Sequence, residues 1–156
     1  MEQQEDNRKA VRPMKTTPEE KAAIKELKNL PYLKIKAENL QAKISALDEI
    51  SGGGISYDGI KVDSGFRNNV ETNLIAHIND KEKLEQELKT TNANIEIIER
   101  ALESLTADEK TVLTMMYIDR QYYSYDKLAS ELNVGISKVY EIRTSAIRAF
   151  KKMISV

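Results

Sequence analysis

The sequence predicts an all-α protein: a long helical hairpin, coiled-coil-like in its spacing, followed by a C-terminal helix-turn-helix. Three observations point there. Apolar residues recur at alternating steps of four and three over two long stretches, the seam spacing of packed helices. Capping boxes, paired Thr and Glu three residues apart, stand ahead of two apolar runs. Glycines number 6 and prolines 3 in 156 residues, too few for the turns of an all-β fold.

Residues 1–16 lack periodicity and hold few apolar side chains, which predicts a flexible tail. Thr17, Pro18 and Glu20 mark a helix start: threonine caps, proline suits the first helical position, and glutamate closes the box. Ile24 and Leu27 give this short helix an apolar side, and Pro31 either interrupts it or starts a new one. Leu33, Ala37, Leu40, Ile44 and Leu47 form the first seam, running to about Ile50. Ser51, Gly52, Gly53 and Gly54 stop it, because consecutive glycines make helix propagation unfavourable.

Residues 51–66 read as a Gly-rich polar loop or a minor strand pair (Ile55, Tyr57, Ile60, Val62). The longest element begins near Gly65. Val70, Leu74, His77, Lys81, Leu84, Leu88, Thr91, Ile95, Ile98, Leu102 and Leu105 keep the same alternation, and Ile75 and Ile78 thicken the stripe where His77 and Lys81 weaken it. Such a seam needs a partner, either residues 31–50 folded back antiparallel or a second copy of the chain. Residues 17–105 thus read as a helical hairpin or oligomerisation region.

Residues 106–156 read as a separate domain. Thr106 and Glu109 form the second capping box, opening a helix with Val112, Leu113, Met116 and Tyr117 on one face. Ser124 caps the next helix, whose apolar face is Leu128, Ala129 and Leu132. Asn133, Val134 and Gly135 make a sharp turn, and Val139 and Ile142 then begin a helix that packs back on Ala129. A small residue is needed at 129 because two steeply crossing helices leave no room for a larger one. In the last helix Val139, Ile142, Ala146, Phe150 and Met153 line the buried side. Ser137, Glu141, Thr144, Arg148 and Lys151 fall opposite, flanked by Lys138 and Tyr140. Arg143 lies nearer the buried side, where an acid is its expected partner. Tyr117, Tyr122, Tyr123 and Tyr125 read as aromatic packing around a small core.

Charge agrees with this division. The net charge is −1, but its distribution is uneven. Between residues 134 and 156 five bases (Lys138, Arg143, Arg148, Lys151, Lys152) face one acid (Glu141). A local basic patch matters more for phosphate binding than the whole-chain sum.

Several classes of function are set aside. Without cysteine there are no disulfides, thiolate metal sites or cysteine nucleophiles. No apolar run suits a membrane span, and the start (MEQQEDNRKA) has no signal-peptide core, so no membrane partner and a cytoplasmic location are expected. His77, the single histidine, reads as a polar seam residue rather than a metal ligand. Gly52 to Gly54 lack the following Gly-Lys-Ser/Thr of a phosphate loop. With no catalytic constellation, the expectation is a protein that is not an enzyme and uses no cofactor.

Residues 106–153 resemble the promoter-reading region 4 of bacterial sigma factors. The matching pattern runs Leu105, Thr106, Glu109, Val112, Leu113, Tyr117, Ser124, Tyr125, Leu128, Ala129, Leu132, Asn133, Val134, Val139, Tyr140, Ile142, Ala146, Ile147 and Phe150. The layout of the whole chain is similar to phage late-gene transcriptional regulators of the ArpU and RinA type, with a Leu-rich start (Leu27 to Leu47), a Gly-rich loop (Gly52 to Gly59) and a long helix before a sigma-like domain. The resemblance implies a sequence-specific, DNA-binding activator of phage late genes for packaging and structural proteins. Where sigma factors read bases with basic and amide side chains, this chain has Ile136, Ser137, Lys138, Tyr140 and Glu141, so the sigma promoter sequence is not the implied target.

The expected base-reading residues are Ser137, Lys138, Tyr140, Glu141 and Thr144, and the expected phosphate contacts are Arg148, Lys151 and Lys152. Expected partners are double-stranded DNA, host RNA polymerase and a second copy of the chain in a homodimer. Two alternatives stay open on sequence alone: a DNA-recognition subunit like that of a small terminase, and a sigma-like adaptor that contacts polymerase.

Overall fold

A computed structural model describes residues 16–52, 64–119 and 124–155, with side chains described outside 51–72. Every element among these residues is helical. Residues 1–15 of the expected tail, most of the expected loop or strand pair, and Tyr122 and Tyr123 lie outside the described residues.

Helix α1 spans Pro18–Gly52. Its start is a full reciprocal capping box: the Glu20 N–H donates to Thr17 Oγ1 at 3.2 Å, and the Thr17 N–H donates to Glu20 Oε2 at 3.1 Å. Pro31 neither ends the helix nor starts a second one, contrary to the sequence expectation. It has no N–H to offer the carbonyl four residues back, but the helix buries apolar side chains on both sides of it, Leu27 and Leu30 before, Leu40 and Ile44 after. That burial outweighs one missing backbone hydrogen bond. Helix α2 spans Ser64–Glu103, so residues 64–66, expected in the loop, are helical.

The chain divides into two compact units. One is Tyr32–Ile95. Here α1 and α2 run antiparallel, because Lys36 pairs with Glu87 (Nζ–Oε1 2.8 Å) while Asp48 pairs with Lys81 (Oδ1–Nζ 2.5 Å). Leu40 and Ile44, on the expected seam of α1, are buried. Thr91, polar and in the seam, is fully covered; its hydroxyl donates to the Glu87 carbonyl at 2.8 Å, so nothing polar is left unpaired. Ile75 and Ile78 do not thicken this stripe. They are exposed, as is Leu74.

The other unit joins the part of α1 up to Pro31 with the chain from Glu96 onward. Ala23, Leu27 and Leu30 are buried in it, as are Ile98, Ala101 and Leu102 from the end of α2. Helix α3 (Ala107–Leu113) is capped by Thr106, whose Oγ1 accepts from the Glu109 N–H at 3.3 Å. Its Val112 and Leu113 are completely buried. The backbone then widens over Thr114–Ile118 into a turn closed by an i→i+5 bond, from the Asp119 N–H to the Thr114 carbonyl at 2.9 Å. Such a widened turn shifts the facing of the residues after it, and it carries the buried Tyr117.

Helix α4 (Tyr125–Leu132) is capped by Ser124, whose Oγ accepts from the Lys127 N–H at 3.2 Å. The turn after it bends at Asn133, which takes the left-handed conformation (φ 54°, ψ 44°), while the Val134 N–H returns to the Ala129 carbonyl at 3.0 Å. Asparagine is among the few side chains that tolerate this geometry. Helix α5 (Ile136–Ile154) buries Val139, Ile142, Ala146, Ile147 and Phe150. Met153, expected on that side, is 49% exposed, whereas Ile147, not marked on that side by the sequence, is buried.

Gly135 precedes α5 with ordinary extended backbone (φ −73°, ψ 160°) and makes no side-chain cap. A Cβ there would meet nothing within 4 Å. Gly135→Ser therefore supplies a missing hydroxyl acceptor and restricts the unfolded chain. We expect stabilisation of roughly 0.3–1 kcal/mol, read as a higher urea midpoint at unchanged slope.

Candidate nucleic-acid interface

Leu128 and Ala129 on α4 and Val139 on α5 form one buried cluster, with Met115, Met116, Tyr125 and Val134 packed around it. Ala129 thus sits where the two helices meet, as its size predicts. This contact turns the opposite side of α5 outward. Ser137, Glu141, Ser145, Arg148 and Lys152 are all exposed, at steps of four, four, three and four, one stripe along the helix.

The expected base-reading residues occupy different environments. Ser137, Lys138 and Glu141 are exposed, and the Lys138 ammonium lies 3.4 Å from Glu141 Oε2. That pair is solvated and geometrically loose, so either partner separates from the other at small cost. Tyr140 is half-buried, its ring stacked on Tyr125 with centroids 4.1 Å apart and planes 18° from parallel. Thr144 is half-buried and its hydroxyl donates to the Tyr140 carbonyl at 2.9 Å. Ser145, unmarked by sequence reasoning, takes the more outward position next to it. Spacing could have found it, since 137, 141, 145, 148 and 152 keep the helical step.

Of the expected phosphate contacts, Arg148 and Lys152 are exposed and form no ion pair among the described residues. Lys151 is half-buried and bound to Glu19 at the start of α1. The Lys151 ammonium holds the Glu19 carboxyl below its usual range, first through their hydrogen bond and then through charge attraction.

Among the described residues Arg143 does not meet an acid. Its Nε donates to the Tyr117 hydroxyl at 2.7 Å, and its guanidinium carbon lies 5.9 Å from the centre of that ring. The Lys28 ammonium stands 6.0 Å from the same ring. Both distances lie at the outer limit of a cation–π contact, about 6 Å, so the hydrogen bond is the stronger tie between Arg143 and Tyr117. The widened turn that presents Tyr117 has no sequence signal, which is why the pairing escapes a reading of the chain.

Among the described residues no group of histidines and acids is placed to hold a metal ion, and no helix is long and apolar enough to cross a membrane. No curated protein and no solved structure matches the chain. Residues 17–154, which take in both units, match the model of a family described as protein of unknown function (DUF722), and the chain belongs to that family.

Proposed function

We propose that α4, its turn and α5 form a helix-turn-helix that reads double-stranded DNA, and that the protein is a sequence-specific transcriptional regulator. In this reading α5 lies in the major groove. The observation that carries it is the exposed stripe Ser137, Glu141, Ser145, Arg148 and Lys152, set on a helix whose other side is anchored by fully buried Val139, Ala146 and Phe150. Ser137, Lys138 and Glu141 stand near base edges, where Glu141 suits a cytosine amino group. Arg148 and Lys152 hold phosphates. Tyr140 has one ring face covered by its stack on Tyr125. Lys151 reaches a phosphate only on release from Glu19.

The resemblance to phage late-gene regulators supports a role as activator of late genes, with host RNA polymerase as partner. Residues 32–95 then act as a helical hairpin spacer, and a homodimer would let two copies read two half-sites. A small-terminase-like subunit differs in forming a ring of many copies, which mass in solution separates from a monomer or dimer.

The test is retention of duplex DNA by the full chain as salt is raised. Affinity falls linearly in log–log form, and Arg148→Gln with Lys152→Gln together make the slope shallower by about two. Retention indifferent to salt, or a slope unchanged by the double variant, would remove this reading.

A further inference from the structure

Arg143 is a half-buried cation whose hydrogen-bond partner is a neutral phenol. No carboxylate pairs with it among the described residues. Charges withdrawn from water are ordinarily paired with an opposite charge, so the guanidinium is an unbalanced group. The Tyr117 hydroxyl beside it is polar and uncharged, and the Lys28 ammonium stands 6.0 Å from the same ring. Tyr117 accepts from Nε and keeps its own hydroxyl proton to give. Tyr125 lies close as well: burial pushes its hydroxyl pKa up, and the positive charge of Arg143 pulls it part of the way back. Tyr140 stacks on Tyr125 and completes the set. The Tyr117 bond occupies one of the five guanidinium N–H groups, and it fixes the plane of the fork through Nε.

We propose that Arg143, held by Tyr117 and bordered by the Tyr125–Tyr140 stack, is a phosphate-binding site that takes one backbone phosphodiester of the DNA duplex. The proposal rests on the DNA-reading function above and adds a contact to it that lies off the exposed stripe of α5. A planar fork with neutral hydroxyl neighbours matches a phosphate oxygen pair. The other cations of α5, Lys138, Arg148 and Lys152, favour a polyanion over a lone carboxylate. Tyr117 is a positioning residue here: it touches the guanidinium, not the phosphate.

The test uses the full chain and a duplex of random sequence, with binding followed against salt for wild type, Arg143→Gln, Arg143→Lys and Tyr117→Phe, and with thermal melting of each. Expected are several-fold weaker binding by Arg143→Gln with a salt slope shallower by about one, and a smaller loss for Tyr117→Phe at unchanged slope. Arg143→Lys keeps the charge and loses the fork, so it should bind several-fold more weakly at the wild-type slope. It carries the test if Arg143→Gln fails to fold. Wild-type affinity in Arg143→Lys, or an unchanged slope in a folded Arg143→Gln, would overturn the phosphate site while leaving the DNA reading intact, and would assign Arg143 to core packing or to a protein carboxylate. A wild-type chain that retains no duplex at low salt would overturn both.

Discussion

Replacing Leu27 by alanine lowers the stability of the unit that holds residues 96–156 by roughly 2–5 kcal/mol. Leu27 is completely buried, and its stretch of α1 belongs to that unit although residues 32–95 intervene in the chain. The side chain of neighbouring Lys28 stands over Tyr117, and Glu19, earlier on α1, binds Lys151. Removing the Leu27 branch loses its transfer energy and leaves a void that the surrounding side chains fill only in part. Urea unfolding, followed by amide exchange at α3 to α5, checks this. Faster exchange throughout those helices is the expected result. A change within about 0.5 kcal/mol, the size of a surface substitution, would mean that the start of α1 is not part of that core.

Phe150→Ala is expected to cost roughly 3–5 kcal/mol. Phe150 is the largest fully buried side chain among the described residues. It lies on α5 two turns beyond Ile142 and one beyond Ala146, so its loss loosens the helix whose outer face is the candidate interface. A domain of this size is stable by only about 5–15 kcal/mol in total, so the variant sits near its unfolding threshold. The midpoint of urea unfolding should drop sharply, and tyrosine near-ultraviolet dichroism, sensitive to the Tyr125–Tyr140 stack, should weaken with it. Met153→Ala on the same helix should change little, because that side chain is half in water.

Much of the fold is legible in the chain because it rests on local rules. Thr17, Thr106 and Ser124 cap where sequence places them, since a cap needs only residues three apart. The steps of four and three mark Leu40, Ile44, Ile98 and Leu102 as buried. The features that escape depend on distant partners. Pro31 reads as a breaker by its own chemistry, and only burial of Leu27 and Leu30 on one side and Leu40 on the other keeps the helix whole. Ile75 and Ile78 fit a thicker stripe, but a seam between two helices has room for a narrow one, and both stay outside. Nothing local announces that the first turns of α1 side with the C-terminal helices.

The candidate site divides the same way. Ser137, Glu141, Arg148 and Lys152 follow from the helical period once Val139 is set inside. Ser145 follows from the same period, whereas the Thr144 hydroxyl is turned to the Tyr140 carbonyl. The Arg143–Tyr117 bond spans 26 residues and depends on a widened turn, so periodicity could not supply it.

The central claim is that the outward stripe of α5 reads base edges, and selection of bound duplexes from a random pool by the full chain tests it most directly. The account predicts enrichment of a defined motif by the wild type, and loss of preference at one base pair, with affinity for non-specific duplex kept, in Glu141→Ala. Recovered sequences no different from the starting pool, or the same motif recovered by Glu141→Ala and by a Ser137→Ala, Lys138→Ala double variant, would contradict it.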